Sequence, residues 1–467
     1  MCSGAVTVES NWWPGSVRWV STDTGEVKET TSLGPFYRWV DRESSSSEAI
    51  RPLAVQYRYP DDGLAKGSTH LLHPLFSYYE NEQAANWNIF RIVRGGSAFS
   101  EEEASWERRF EIFPVYFDHR SADPEKSYWG LLPIYGEVKN RFFMDRIEWV
   151  LFPLYTKFET KGETSIGTPW PFIRRREGNG ARGGAFWPFY GYFENPGIYE
   201  QEFFVWPLGY DFKRWNEAGE LSRRRGFLPF YAIEETPTKV SRHHPWPFIG
   251  YTQSTSPRYA EERFLWPFFV QGEGENLYRN RWAPFYSHSV VNGREHEWWL
   301  WPLLNRRSWY FDNLRYDLNR VLYVVLWHME VSDPRNPDRP KLEKTHLWPF
   351  FSYSTDNHSR KQFQFPSLLE VWTQPNEKPR DLYNSFFSLY QYEKEGASSR
   401  HSLLWNLITF DRQEERSQFT LGPLFDWRAG EGEHRTRLLK GFFGYEKTEM
   451  GRTYSLLWWQ FGERHSG

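Results

Sequence analysis

One short element recurs along the whole chain: an apolar residue, then Leu, Phe or Trp, then Pro, then Phe or Leu, then Tyr, Phe or Ile. It reads Leu151-Phe152-Pro153-Leu154-Tyr155 and Phe186-Trp187-Pro188-Phe189-Tyr190, and again Leu265-Trp266-Pro267-Phe268-Phe269 and Leu347-Trp348-Pro349-Phe350-Phe351. The in-register prolines start at Pro14 and Pro35 and end at Pro366 and Pro423, and 18 of the 30 prolines belong to the series. Degenerate copies fill the gaps. Phe387-Ser388-Leu389-Tyr390 carries Ser at the proline position and Leu404-Trp405-Asn406-Leu407 carries Asn, with weaker copies centred on Arg91, Val325, Gly441 and Trp459. Together they make 24 units between residues 14 and 459, a mean spacing of about 19 residues. No linker-like change of composition divides them, so residues 1–10 read as an N-terminal extension and 11–467 as a single β-repeat domain.

A proline in 18 of the 24 units argues against helices, because each copy would remove a hydrogen bond and clash with the preceding turn at roughly 3 kcal/mol. Aromatic and β-branched neighbours favour strands. The stretches between successive prolines are polar and rich in turn residues, such as Glu194-Asn195-Pro196-Gly197 and Gly272-Glu273-Gly274-Glu275. Val291-Asn292-Gly293-Arg294 is the clearest, since Asn-Gly between extended runs suits a hairpin turn with positive φ at both central residues. The expected fold is all-β: an antiparallel meander of about 24 repeat strands, coiled or closed into one large sheet. Proline cannot donate to a ladder. Its place near the middle of each unit therefore predicts either a kink at the waist of a long strand or a short hairpin whose ends meet at a Trp-Pro corner.

Alternation along a strand puts Phe186 and Tyr190 on one face and Trp187 and Phe189 on the other, so both faces are apolar around the proline. Three residues out, the second face turns small or polar, as at Gly191, His244, Arg281, Ser287 and Ser352. Two burials satisfy this pattern. A barrel in an outer membrane would turn one aromatic belt toward lipid. A sheet coiled on itself would bury both belts in protein, and this second form is preferred because neither face offers a polar pore lining at the waist.

Composition removes several classes. Lys+Arg (57) and Asp+Glu (60) leave a net charge of −3, without the basic excess a nucleic-acid binder uses to displace counterions. Aromatic residues make up 19% of the chain, against a disordered protein, and a mean hydropathy of −0.73 with no long apolar run argues against membrane-crossing helices. The one cysteine, Cys2, excludes intramolecular disulfides and Cys-based zinc sites. Followed by Ser3, Gly4 and Ala5, it resembles the lipid-modification point of a bacterial lipoprotein, although no signal-peptide apolar region precedes it. An incidental cysteine in a cytoplasmic protein is the simpler reading.

Few residues suggest chemistry. Gly178-Asn179-Gly180-Ala181-Arg182-Gly183 fits the dinucleotide fingerprint, but a repeat strand follows where the fingerprint needs a helix, so a hairpin tip is expected. Pairing across Asn292-Gly293 sets His288 opposite Glu297, with Glu295 on the same face and His296 on the other. A cross-strand ion pair is expected there, not a metal site. His243 and His244 point to opposite faces. Arg174-Arg175-Arg176 and Arg223-Arg224-Arg225 read as solubilising strand ends. Aromatics in register read as core, so any surface stacking on sugars falls to those outside the register: Trp19, Trp215, Trp309 and Trp427.

No catalytic, cofactor or metal residue is assigned. The expected function is a non-catalytic structural or binding scaffold of the bacterial cell envelope, in the outer membrane or periplasm. Polysaccharide, lipopolysaccharide or another envelope protein is the expected partner, and nucleic acid is not. The alternatives are an outer-membrane β-barrel serving as a pore or export conduit and, third, a glycan-acting enzyme.

Overall fold

A computed structural model describes residues 6–42, 45–59, 66–337, 341–356, 359–368, 382–383, 385–430, 432–448 and 451–464. They form an antiparallel meander of 46 strands, from β1 (Val6–Trp12) to β46 (Trp459–Arg464). Among the described residues no ladder joins β1 to β46, and the sheet is not closed into a barrel.

The all-β meander is as the sequence implies, but each unit contributes two strands of about half the expected length. The proline element is a corner, not a waist. Between β19 (Ala181–Phe186) and β20 (Tyr190–Asn195) the chain turns through Trp187-Pro188-Phe189, and the Phe189 amide donates to the Phe186 carbonyl at 2.9 Å. A residue without an N–H is best tolerated where no ladder partner is waiting for it. The corners also bond to one another: Trp187 donates to Phe172 O, Trp206 to Pro188 O and Trp246 to Pro229 O, at 2.6, 2.6 and 2.9 Å. The carbonyl of the proline, or of the residue after it, thus serves the next corner. The units at Pro366 and Ser388 fall within a single connection, between β37 (Lys361–Phe365) and β38 (Tyr390–Glu395).

Connections therefore alternate. Odd-to-even connections are the proline-type corners, and even-to-odd ones are polar turns except between β14 (Tyr135–Arg141) and β15 (Met144–Val150), where the exposed Phe142 and Phe143 form the tip. The turn between β30 (Tyr286–Val291) and β31 (Arg294–Trp299) has φ of 49° at Asn292 and 76° at Gly293, and its register pairs His288 with Glu297 and Ser289 with His296 as the sequence implies. The corners consequently gather the apolar turns at one end of the strands, and most turns at the other end are polar. The expectation that the aromatic belts are buried in protein is corrected here: Phe189, Phe230, Phe285 and Trp301 are exposed, Phe230 at 65% and Trp301 at 58%. Turns lie at the edge of a sheet, and nothing among the described residues covers them.

The packed layer lies just inside the corners. Glu111, Phe117, Gly130, Gly136, Trp149, Thr156 and Gly167 are successive cross-strand partners, and all are buried. Large rings lie over neighbouring glycines, so a Cβ on Gly130 would meet the Trp149 ring at 2.5 Å and one on Gly226 the Tyr210 ring at 2.8 Å. The small and polar positions anticipated three residues from proline fall on this row at Gly191, Arg281, Ser287 and Ser352. His244 does not; it belongs to a corner.

The chain separates into two compact units, Gln83–Trp309 and a discontinuous one made of Met1–Glu82 with Tyr310–Gly467. In the discontinuous unit the buried face of the N-terminal hairpins meets that of the C-terminal ones. Asn11 Nδ2 donates to Thr420 Oγ1 at 2.8 Å and Gln418 Nε2 to the Val8 carbonyl at 2.9 Å. Polar pairs dominate this layer, including His70–Ser77 at 2.9 Å and Thr409–Thr420 at 2.6 Å. Apolar clusters are small: Val8, Val17 and Trp19 form one, and Ala49, Val55, Tyr57 and Leu382 another. No described helix is long and apolar enough to cross a membrane.

Candidate functional site

Within the discontinuous unit, β3 (Val27–Ser32) and β4 (Tyr37–Arg42) face β35 to β39 (Leu342–Leu403) across a cleft of about 490 Å³. Strand alternation decides which side chains enter it. Thr31 and Arg38 are cross-strand partners on one wall; Ser352, Gln364, Gln391 and Ser402 are successive partners on the other. One register step further from the corners lie Ser354, Gln362, Glu393 and Arg400, again partners in sequence.

The cleft is cationic. Six cationic side chains line it, Arg38, Arg42, Arg51, Lys344, Arg360 and Arg400, against the two carboxylates Glu29 and Glu393, a formal excess of four positive charges. Both carboxylates are already engaged. Glu29 accepts from Arg38 Nε at 2.8 Å and from Arg400 Nη1 at 3.2 Å. Glu393 accepts from Arg360 Nη2 at 2.8 Å and from Gln362 Nε2 at 2.9 Å. Burial opposes ionisation of Glu29, but Arg38 and Arg400 outweigh it and hold the carboxyl at about 2. Glu393 is lowered in the same way, with burial overcome by Arg400 and Arg360. Arg42 and Lys344 make no ion pair among the described residues.

Arg400 also stacks over the Trp19 ring, 5.0 Å from its centroid, and lies 3.6 Å from the Asp411 carboxylate. Burial pushes Asp411 up to about 6 despite Arg400 and Arg428, with Glu29 adding to the rise. Arg400 is thus a shared cation for two buried acids with opposite titration behaviour.

The residues singled out from the sequence do not assemble into a site. Trp19 is 1% exposed and belongs to the core, which removes it as a surface platform. Trp427 in β42 (Phe425–Gly430) pairs with Phe419 and Thr436, on the face away from Asp426. Trp215, which ends β22 (Gly209–Trp215), and Trp309 in β32 (Leu304–Phe311) are partly buried in separate strands. Cys2 lies outside the described residues.

His288 stands opposite Glu297, but its Nε2 pairs with Glu295 at 2.9 Å, while Glu297 accepts from Trp299 Nε1 at 3.0 Å. No group of three metal-ligating side chains occurs among the described residues. Gly178–Gly183 is a hairpin tip, with Gly178 paired to Ala181. The arginine runs sit inside strands. Arg174 and Arg176 lie over the Phe193 ring at 5.3 and 4.7 Å, and Arg224 pairs with Glu234 at 3.0 Å. His243 hydrogen-bonds Ser241 at 3.2 Å while His244 stacks on Tyr231, on the opposite face.

Sequence reasoning missed the cleft. Its cations are scattered from residue 38 to residue 400, each in an unremarkable alternating strand, and no local pattern links them. No protein-family model and no curated protein matches the chain.

Proposed function

We propose that the chain is a non-catalytic β-repeat scaffold of the bacterial cell envelope that lies on a lipid surface through its apolar rim. The observation that carries this reading is the segregation of turns: aromatic corners such as Trp187-Pro188-Phe189 at one end of the strands, and mostly Asn, Gly, Glu and Lys turns at the other, with Phe142-Phe143 as the exception. Exposed Trp, Tyr and Phe suit the boundary between headgroups and acyl chains, where aromatic rings concentrate.

Depth favours lying on the bilayer over crossing it. The strands have four to eight residues, a rise of roughly 13–26 Å at about 3.3 Å per residue. A membrane-crossing strand takes about 9–11 residues. The strand faces between the rims carry ion pairs such as Arg146–Glu148 at 2.7 Å and Arg263–Glu261 at 2.5 Å, which do not suit a lipid-facing band. Aromatic corners such as Trp187-Pro188-Phe189 project from the strand ends, and a single turn matches the ~5–10 Å reached by interfacial elements. The open sheet likewise lacks the closure that a pore requires.

The test is flotation of purified protein with neutral phosphatidylcholine vesicles at high ionic strength, where electrostatic attraction is screened. Wild type is expected to float, and a variant with Phe189→Ser, Phe230→Ser and Phe285→Ser to stay at the bottom with an unchanged circular-dichroism spectrum. Wild type that fails to float would overturn the proposal. A Cys2→Ser variant recovered from cell membranes by alkaline wash, with wild type retained, would assign attachment to a lipid tether instead.

A further inference from the structure

We infer that, independently of the rim, the cleft of the discontinuous unit binds an anionic saccharide. Its phosphate or carboxylate groups are held by the cations of both walls and its sugar ring by the amides and aromatic faces of the β35–β39 wall.

Charge points to an anion. The lining carries six cations against two carboxylates, and those carboxylates are already held by Arg38, Arg400 and Arg360, so no acid of the lining is left to neutralise Arg42 and Lys344. Clustered like charges in a partly enclosed, low-dielectric space repel one another, and the field they create concentrates anions. Guanidinium forks match phosphate and carboxylate oxygens two at a time.

The rest of the lining points to a sugar. A bare inorganic anion needs only donors. This cleft also presents amides and hydroxyls that are fixed in place: Gln364 Nε2 donates to Ser367 Oγ at 2.8 Å, and Asn406 Oδ1 accepts from Ser402 Oγ at 2.5 Å. Trp405 lines the cleft with its Nε1 anchored on the Phe386 carbonyl at 2.8 Å, and Tyr392 lines it beside the His401 ring. Amides and hydroxyls suit sugar hydroxyls, and aromatic faces suit the apolar face of a sugar ring. A volume of about 490 Å³ lies within the ~300–1,000 Å³ usual for small-molecule sites. Arg51, only 4% exposed, is held at the edge of the cleft by the fold itself.

The test is calorimetric titration of the full chain with glucose 1,6-bisphosphate, inorganic phosphate and maltotriose. The bisphosphate is expected to bind at least about tenfold more tightly than either of the others, a difference of about 1.4 kcal/mol. The Arg42→Met/Lys344→Met double variant should lose at least tenfold in affinity while its melting temperature stays within a few degrees of wild type. Both side chains lie outside the internal ion pairs, so the variant tests binding and not folding. Competition by a detergent-dispersed bisphosphorylated glucosamine lipid would identify a lipid headgroup as the source, and failure to compete a free phosphosugar; either result keeps the shared chemistry. Absence of heat with the bisphosphate, equal affinity for inorganic phosphate, or unchanged affinity in the double variant would each overturn the inference.

Discussion

Arg400 donates to Glu29 at 3.2 Å across 371 residues of chain, and the same carboxylate accepts from Arg38 only nine residues away. One acid therefore joins a local hairpin to the far segment of the discontinuous unit. Both partners are mostly removed from water, with Glu29 15% and Arg400 18% exposed at the side chain.

Removing one member of such a group leaves buried charge without compensation. Glu29→Gln is expected to destabilise the protein by about 3–5 kcal/mol, read as a lower urea midpoint with an unchanged slope. In an Arg400→Met background, where the pair is already gone, Glu29→Gln should cost less than in wild type. Equal costs in the two backgrounds would show that the pairing is incidental.

Two acids beside Arg400 give stability a pH optimum. Glu29 falls from its ordinary 4.5 to about 2, so its contribution is complete above about pH 4.5 and is lost as pH drops toward 2. Asp411 rises from 3.8 to about 6. Its cost is absent below pH 3.8, grows as pH rises, and is complete above 6. Keeping this carboxylate ionised in the folded chain costs on the order of 2–3 kcal/mol at neutral pH. Melting temperature is expected to rise from about pH 7.5 to about pH 4.5–5 and then to fall. In Asp411→Asn the rise should disappear and the melting temperature at neutral pH should increase.

The contact between Gly130 and Trp149 tests the packed row beneath the corners. A Cβ at Gly130 meets the indole at 2.5 Å, and Gly130→Val is expected to cost about 1–3 kcal/mol through overpacking. In a Trp149→Ala background the same change should cost less, giving a coupling of at least about 1 kcal/mol in a double-mutant cycle. Additive losses would mean that the ring does not rest on the glycine.

The Asn292-Gly293 turn isolates backbone conformation from packing. Gly293 has φ of 76° and nothing within 4 Å of a Cβ placed on it. Gly293→Ala is expected to cost about 1–2 kcal/mol, the penalty of an L-residue in the left-handed region. Hydrogen exchange should speed up locally in residues 286–299, the two flanking strands. Unchanged exchange there would contradict the turn geometry.

How much of this was legible follows from the range of each interaction. Turn chemistry is local, so Asn292-Gly293 yields both its hairpin and its register, with His288 opposite Glu297 as pairing across the turn requires. Which carboxylate His288 then bonds is a matter of side-chain reach across the sheet, and the diagonal Glu295 wins. The proline element is harder to read. A long strand bent at Pro188 and a short hairpin turning there share one sequence and one period. They differ in whether the missing N–H falls on a ladder, and the bonds from Trp187 to Phe172 and from Trp206 to Pro188 decide for the corner.

By itself, then, the sequence determined the repeat, the all-β antiparallel meander and the polar turns, because spacing, turn residues and the absence of a proline N–H act within one unit. Tertiary structure alone decided that the aromatic corners stand exposed along a rim and that Trp19 is core. It also brought Glu29, Arg38, Lys344, Arg360 and Arg400 to one cleft. The physical reason is range. Burial and charge proximity depend on which strands meet across hundreds of residues, and alternation along any one strand is the same whichever strands those are.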